Sequence, residues 1–394
     1  MEEWKEYKLG DILCEKGYIR GPFGSALKRG DLLNEGIPVY EQQHAIYNKR
    51  DFRFYINSEK YSEMKRFTVC PNDIIVSCSG TVGEVSLIKE HDPIGIISQA
   101  LLILRVDSNI IMPEFLMYFF KTAKGHNSIT ARSSGSVQVN IARREVIEGI
   151  SLLLPDIRTQ KKIVDSIKSL DDKIDLNNRI NHNLIKASQS LFDYYLVETD
   201  SFKGNYKKGV LTDIAYYLNG IAMQKYPVSK NENGLPVLKI KELGQGCCDT
   251  SSDICTKDIP EQYIINDGDI IFSWSGTLLV DYWCGGVCGL NQHLFKVTSE
   301  KFPKWFIYFW TNYHLERFKQ IARDKAVTMG HIRRTDLDQA EVLIPNNQVL
   351  KNLDLLISPL MKEYVKRRIE NRQLQNMRDC LLPELMKGSY DLNC

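Results

Sequence analysis

The chain has no Pro-Pro pair and so cannot contain the Asn-Pro-Pro-aromatic tetrapeptide that an amino-methyltransferase would need beside its Gly-rich methyl-donor loop. It also lacks a Gly-Lys-Ser/Thr phosphate loop and a His-Glu-x-x-His zinc motif, which removes those routes to nucleotide or peptide hydrolysis. Isolated Asp, His and Ser residues define no triad, so catalysis is not expected of this chain. Long apolar runs are missing too: the one around Leu101–Leu104 is far too short to span a bilayer. The start, Met1-Glu2-Glu3-Trp4-Lys5-Glu6, has no basic patch followed by an apolar stretch, and a cytoplasmic location is expected. Charge of one sign is scarce: 51 Lys and Arg against 49 Asp and Glu leave a net +2, so any surface that binds nucleic acid has to be local.

The 10 cysteines do not follow a disulfide spacing. Cys247, Cys248, Cys255, Cys284 and Cys288 lie near one another in sequence, but only Cys284 and Cys288 are spaced like a pair of zinc ligands. Buried free thiols are therefore expected, with no metal and no cofactor.

What is present is an ordinary globular composition, 43% hydrophobic and 25% charged, in 394 residues, enough for two domains. The same order of signals occurs twice, at a lag of about 190 to 202 residues. Leu9–Ile12 and Leu211–Ile214 read as strand-like entries. Gly36-Ile37-Pro38-Val39 is matched by Gly234-Leu235-Pro236-Val237. The closest echo sets Asp73-Ile74-Ile75-Val76-Ser77-Cys78-Ser79-Gly80-Thr81 against Asp269-Ile270-Ile271-Phe272-Ser273-Trp274-Ser275-Gly276-Thr277. Gln99-Ala100-Leu101 then matches Gln292-His293-Leu294, and the halves close at Leu153-Leu154-Pro155 and Leu343-Ile344-Pro345. So long a lag implies tandem copies of one domain rather than a solenoid.

Within each copy, short β-branched runs alternate with turn residues. Ile74–Val76 and Val82–Ile88 predict two strands joined by a Ser-Gly-Thr turn, repeated by Ile270–Phe272 and Leu278–Trp283. Pro113–Ala123 and Pro303–Ile321 predict helices whose aromatics, Phe115, Tyr118, Phe119, Trp305, Phe306 and Phe309, belong to the core. After each copy comes a helical tail. Ile163, Ile167, Leu170, Ile174, Leu184 and Leu191 form one heptad seam, and Leu353, Ile357, Leu360, Tyr364, Leu374 and Leu381 form the other. Free of Gly and Pro from Arg158 to Val197, the first tail predicts a helix about 57 Å long. Each stripe needs a partner and the other tail is the only comparable one, so antiparallel pairing is expected. Asn177 and Asn181 either fix the register of that pair or face water on a slightly rotated helix.

The fold class expected is α+β: two similar mixed α/β globular domains separated by a long antiparallel two-helix coiled coil, with a pseudo-twofold internal repeat. The expected divisions are 1–155, a helix over 156–200, 201–345, and a second helix and tail over 346–394.

In this setting several segments resemble the specificity subunits of type I restriction-modification systems. They are Gly21-Pro22-Phe23-Gly24-Ser25-Ala26-Leu27, Asp73–Ile75 leading to Ser79-Gly80-Thr81-Val82-Gly83, Leu152–Pro155 followed by Gln160-Lys161-Lys162-Ile163-Val164, Leu170-Asp171-Asp172-Lys173-Ile174, and Leu381-Leu382-Pro383-Glu384-Leu385-Met386. The resemblance implies two target-recognition domains, each reading half of a split DNA sequence. It implies helices that set the gap and dock two methyltransferase subunits, restriction subunits that join them, and methylation on adenine. The second copy departs from the pattern: Leu279-Val280-Asp281 replaces Gly83-Glu84-Val85, and Asn219-Gly220-Ile221-Ala222 is only a loose counterpart of the first Gly-rich loop.

Candidate DNA contacts follow from chemistry. Ser77, Ser79, Thr81, Ser273, Ser275 and Thr277 suit phosphate approach, or else are plain turn residues. Arg20, Lys28, Arg29, Lys239 and Lys241 are cations in polar loops, and Gln42, Gln43, Gln99, Gln292 and His293 can address base edges. Arg132, Arg143 and Arg144 match Lys325, Arg333 and Arg334 as phosphate-contact candidates near the end of each copy. The run Lys362, Lys366, Arg367, Arg368, Arg372 and Arg378 reads as a solvated helix face, with contact to DNA or a partner as the alternative.

Overall fold

The computed structural model describes residues 4–23, 26–132, 139–198, 206–229, 233–324 and 330–387. The chain forms two compact units, one built from residues up to Asp171 together with those from Asn376 onward, the other from Asp172–Gln375.

The first unit is centred on a four-stranded antiparallel sheet of β1 (Leu13–Arg20), β2 (Ile74–Ser77), β3 (Val85–Leu87) and β4 (Leu101–Val106), in the order β1-β4-β2-β3. β2 is buried on both faces, as its unbroken Ile-Ile-Val run requires. The second unit repeats the sheet with β5 (Tyr216–Asn219), β6 (Ile270–Ser273), β7 (Leu279–Tyr282) and β8 (Leu294–Thr298), in the order β5-β8-β6-β7. Both units carry a smaller mixed sheet. Val39 and Tyr40 pair in parallel with Ile96 and Ile97 in one, and Val237 and Leu238 with Gly289 and Leu290 in the other. Each globular half is closed by a two-stranded clasp, Lys5–Lys8 on Ser151–Leu154 and Tyr206–Val210 on Glu341–Pro345.

The two entry segments are helical turns rather than strands. Their apolar residues stand three apart, and a turn of helix sends both Leu9 and Ile12, and both Leu211 and Ile214, into the core, where a strand would put them on opposite faces. Val82–Ile88 narrows to Val85–Leu87, because residues before it belong to the turn. The helix expected over Pro303–Ile321 is two, Lys304–Tyr313 and Leu315–Asp324, and the one from Pro113 stops at Lys121, where Thr122 caps Ala123–Ile129. All six predicted core aromatics are buried.

The tails form α1 (Ile157–Phe192) and α2 (Asn347–Leu385), 36 and 39 residues long. A π turn, Asp193–Val197, extends α1 and seats Phe192 and Leu196 in the core. Gln160 anchors the start of α1: fully buried, it accepts from Met112 N at 2.9 Å and donates to Ile110 O at 3.1 Å and Pro155 O at 3.0 Å.

The two helices pack against each other within both units. In the first, Ile163, Val164 and Ile167 share a core with Leu382 and Leu385, and Arg378 donates to Asp171 at 3.0 Å. In the second, Asn177 meets Asn371, and Phe192 shares a core with Leu353, Ile357 and Met361. Numbers rise along one helix as they fall along the other, so the pair is antiparallel. Asn177 and Asn181 face inward, at 0% and 6% exposure, which settles the alternative left open by the sequence. Asn177 donates to Asn371 Oδ1 at 2.9 Å and Glu370 Oε2 at 2.8 Å, and accepts from Arg367 at 2.9 Å. The seam of α2 drifts from the predicted one: Met361, Asn371 and Leu382 are buried, whereas Leu360, Leu374 and Leu381 are only partly covered. Pro359 lies inside α2, where it withholds an N–H from Leu355, a residue on a water-facing side at 76% exposure.

The basic run on α2 is not a solvated face. Arg368 makes a bidentate pair with Asp281, 2.7 Å at each nitrogen, and Arg372 does the same with Asp267 at 2.7 and 2.8 Å. These pairs tie α2 to the sheet of the second unit, and only Lys362 and Lys366 of the run are exposed.

Candidate nucleic-acid interface

Strand register gives the correspondence between the two halves residue by residue. Ser77 stands opposite Leu101 and Arg20 opposite Leu102; Ser273 stands opposite Leu294 and Asn219 opposite Phe295. Arg20 therefore matches Asn219, Cys78 matches Trp274, Gln99 matches Gln292 and Ala100 matches His293. The loose sequence counterpart is a close structural one. A Cβ on Gly21 would fall 2.0 Å from Ser98 O, and one on Gly220 would fall 2.2 Å from Asn291 O, so both positions admit glycine alone.

The Ser-Gly-Thr turns divide into internal and exposed parts. Ser77 Oγ donates to Thr81 O at 2.6 Å and accepts from Glu84 N at 3.0 Å. Ser273 Oγ donates to Thr277 O at 2.8 Å and to Ser275 O at 3.2 Å. Both serines are fully buried, so their hydroxyls hold the loop and have no surface for a phosphate to reach, which corrects the reading of these two as contacts. Gly80 and Gly276 sit at φ +64° and +63°, the left-handed position that makes glycine necessary at each turn. Ser79, Thr81 and Thr277 are exposed; Ser275 is buried, its hydroxyl 3.2 Å from His293 Nδ1.

In the first unit these loops converge. Ser79 Oγ donates to Gln42 Oε1 at 3.0 Å, placing Gln42 and half-buried Gln43, on the short helix Gln42–Ile46, beside the turn. Cys78 N bonds Ala100 O at 2.8 Å and Gly21 N bonds Leu101 O at 2.9 Å, which brings exposed Gln99 and the Arg20 loop to the same edge. Arg20 donates to Leu101 O at 3.3 Å, lies 5.8 Å from the ring of exposed Phe23, and reaches the Cys78 thiol. Burial pushes that thiol up to about 12 despite the guanidinium, so it stays a neutral group. Lys28 and Arg29 are exposed just beyond.

The second unit builds the matching edge from other side chains. Gly276 packs against Ile240, on the short helix Ile240–Gln245, as Gly80 packs against Gln42. Gln292 and His293 are half-buried beside it, their side chains 3.3 Å apart. Lys239 is paired with Asp253, and Lys241 bonds Ser251 at 2.7 Å near Asp249, so neither is a free cation. Sequence reasoning missed Trp274, Asn219 and His331. Trp274 Nε1 donates to Asn219 Oδ1 at 3.0 Å, and its ring lies 5.9 Å from His293 and 6.3 Å from His331. The signal was available, since Trp274 replaces Cys78 inside the clearest repeated segment.

The arginine pairs near the end of each half also correspond. Arg143 and Arg333 precede short helices that begin at Arg144 and Arg334. Arg144 pairs with Glu148 at 2.8 Å and lies 5.0 Å from the Tyr18 ring; Arg334 donates to Tyr217 O at 3.1 Å. Tyr18 and Tyr217 are themselves matched by register, so the second arginine of each pair leans on the same place in its own sheet, and all four arginines are exposed. The side chain of Arg132 and all of Lys325 lie outside the described residues. Among the described residues no group of His, Cys, Asp and Glu could hold a metal ion, and no helix is long and apolar enough to cross a membrane.

Residues 1–186 match the family model described as the type I restriction modification DNA specificity domain. The chain is 23% identical over 302 residues to the type I restriction enzyme MjaIX specificity subunit of Methanocaldococcus jannaschii, covering 71% of this chain and 69% of that one. Over its first 186 residues, and over the stretch it shares with this relative, the chain is similar to the specificity subunits of type I restriction enzymes. A second such subunit, that of HindI from Haemophilus influenzae, is 29% identical over 209 residues, which span 51% of this chain and 42% of the relative. The fold of a specificity subunit extends over the whole chain: the crystal structure of the S subunit from M. genitalium superposes with a TM-score of 0.58 at 14% identity, covering 98% of this chain and 96% of that one.

Proposed function

We propose that this chain is the DNA-reading subunit of a type I restriction-modification assembly, with residues 1–155 and 201–345 each reading one half of a split duplex sequence. The helices of 156–200 and 346–394 set the length of the unread stretch and dock two methyltransferase subunits, and restriction subunits join in turn. Methyl transfer to adenine, ATP use and strand cleavage reside in those partners, and the assembly works in the cytoplasm. One observation supports this above the rest: the same loop edge is built twice on matched strands, with the scaffold residues kept (Gly21 and Gly220, Ser77 and Ser273, Gly80 and Gly276) and the outward ones changed (Arg20 to Asn219, Gln42 to Ile240). Two readers of unlike half-sites need a common frame and different tips.

Replacing residues 1–155 with the corresponding domain of another specificity subunit tests the proposal. Mapping of methylated sites should then show one half of the recognised sequence changed and the other intact; a change in both halves, or in neither, overturns it. Adding whole helical turns to both long helices should lengthen the gap alone. A scaffold without DNA readout would show no salt-dependent duplex binding even with its methyltransferase partners, whereas contacts to phosphate through Lys28, Arg29, Arg143 or Arg333 require it.

A further inference from the structure

Asn219 and Trp274 stand where Arg20 and Cys78 stand in the other half, and in both halves the turn residue touches the residue at the strand end. An indole N–H can only donate. The 3.0 Å bond from Trp274 therefore fixes which way the Asn219 carboxamide faces: its oxygen is held by the indole and its NH2 group is left to the other side. Asn219 is exposed, and no described residue engages that NH2. Trp274 in turn is held by a tilted ring contact with Phe295, centroids 5.8 Å apart, and by Ile332 N, which bonds its carbonyl at 3.1 Å. The matched Arg20 also leads with donors, from a guanidinium held by Leu101 O and Phe23.

Resting on the DNA-reading function proposed above, we infer that Asn219 is a specificity-determining residue of the second domain, that it reads acceptors on a base edge, and that Trp274 is its positioning residue. An unfixed carboxamide suits adenine, giving and taking one hydrogen bond each. This one presents donors first, and the edge with two neighbouring acceptors in the major groove is that of guanine, N7 and O6.

The test is selection from a randomised duplex pool by the full chain in complex with its methyltransferase subunit, for the wild type, Asn219→Asp and Trp274→Phe. Asn219→Asp keeps an acceptor for the indole but replaces the outward donors with a carboxylate oxygen. Guanine preference at one position of the second half-site should fall by about tenfold or more, with the first half-site unchanged. Trp274→Phe keeps an aromatic ring next to Phe295 and frees the amide to turn, so preference at that same position should broaden and no other should change. Variants that select the wild-type motif at full strength overturn the inference. So does an equal loss in both half-sites, which would mark a purely structural role. A wild-type complex that selects no motif overturns the DNA-reading function itself, a result distinct from either of these.

Discussion

Asn177 allows the helix pair to be probed by a cycle of four proteins. Leucine is closest to asparagine in branching, so Asn177→Leu removes three hydrogen bonds with little change of shape. Two of the stranded partners, Glu370 and Arg367, are 39% and 22% exposed and regain water. The third, Asn371, is 7% exposed and keeps an acceptor without a donor, a loss of about 1–3 kcal/mol. Burying leucine in place of an amide returns part of this, so a net loss of about 1–2 kcal/mol is expected. Asn371→Leu should cost less, about 0.5–1.5 kcal/mol, since Asn177 keeps its bonds to Glu370 and Arg367 and the other partner lost, Asn178, is exposed. In the double variant neither amide is left unpaired, and stability should return to within about 1 kcal/mol of wild type. Urea unfolding of the full chain, followed by far-ultraviolet circular dichroism at fixed pH, measures all four. If the double variant were as unstable as the two single losses added, within the ~0.5 kcal/mol expected of independent sites, the buried pair would not be a coupled unit.

Three further outcomes follow from the same geometry. Arg372→Met leaves Asp267, itself about a quarter exposed, without its bidentate partner and should cost about 2 kcal/mol in urea unfolding, whereas Lys366→Met on the exposed side of α2 should be near neutral. Gly21→Ala and Gly220→Ala should each destabilise by about 2 kcal/mol or more, while Gly30→Ala, with nothing within 4 Å of its added carbon, should not; equal melting temperatures for all three would refute the close approach. Acid should weaken the fold in two windows. Burial holds His44 and His314 below the usual histidine value, so they contribute stability that is full above about pH 6.5 and is lost as pH falls below it. Burial raises the Asp267 carboxyl but the Arg372 and Gly286 donors outweigh it and leave it below the usual value of about 4, so its contribution fades only as pH drops under that. A pH titration of melting temperature checks both, and His44→Gln should shrink the upper window, leaving the His314 part of it, without moving the lower one.

Repetition and heptad spacing made most of the fold legible. Matching Ser77 to Ser273 and Gln99 to Gln292 by eye gave the same alignment that strand register gives, and Ile163, Ile167, Leu353 and Ile357 marked the helix seams correctly. Where reading failed, the deciding contact was distant in sequence. Arg368 and Arg372 looked like surface charges because their partners, Asp281 and Asp267, are 87 and 105 residues away. Leu9 and Leu211 looked like strand residues because a single turn of helix is too short to show a period. Among the candidate contacts, residue type alone could not separate Ser77, which is spent on its own loop, from Ser79, which faces out.

The core shared by Ile163, Val164 and Ile167 with Leu382 and Leu385 bears on how the molecule is made. During synthesis, more than 200 residues separate the moment when α1 emerges from the moment when its leucine partners do. Until then the part of this core that Leu382 and Leu385 cover is open, a hazard for aggregation that a growing chain must survive on the ribosome. The first globular half, though translated first, can be completed only after the second has been made.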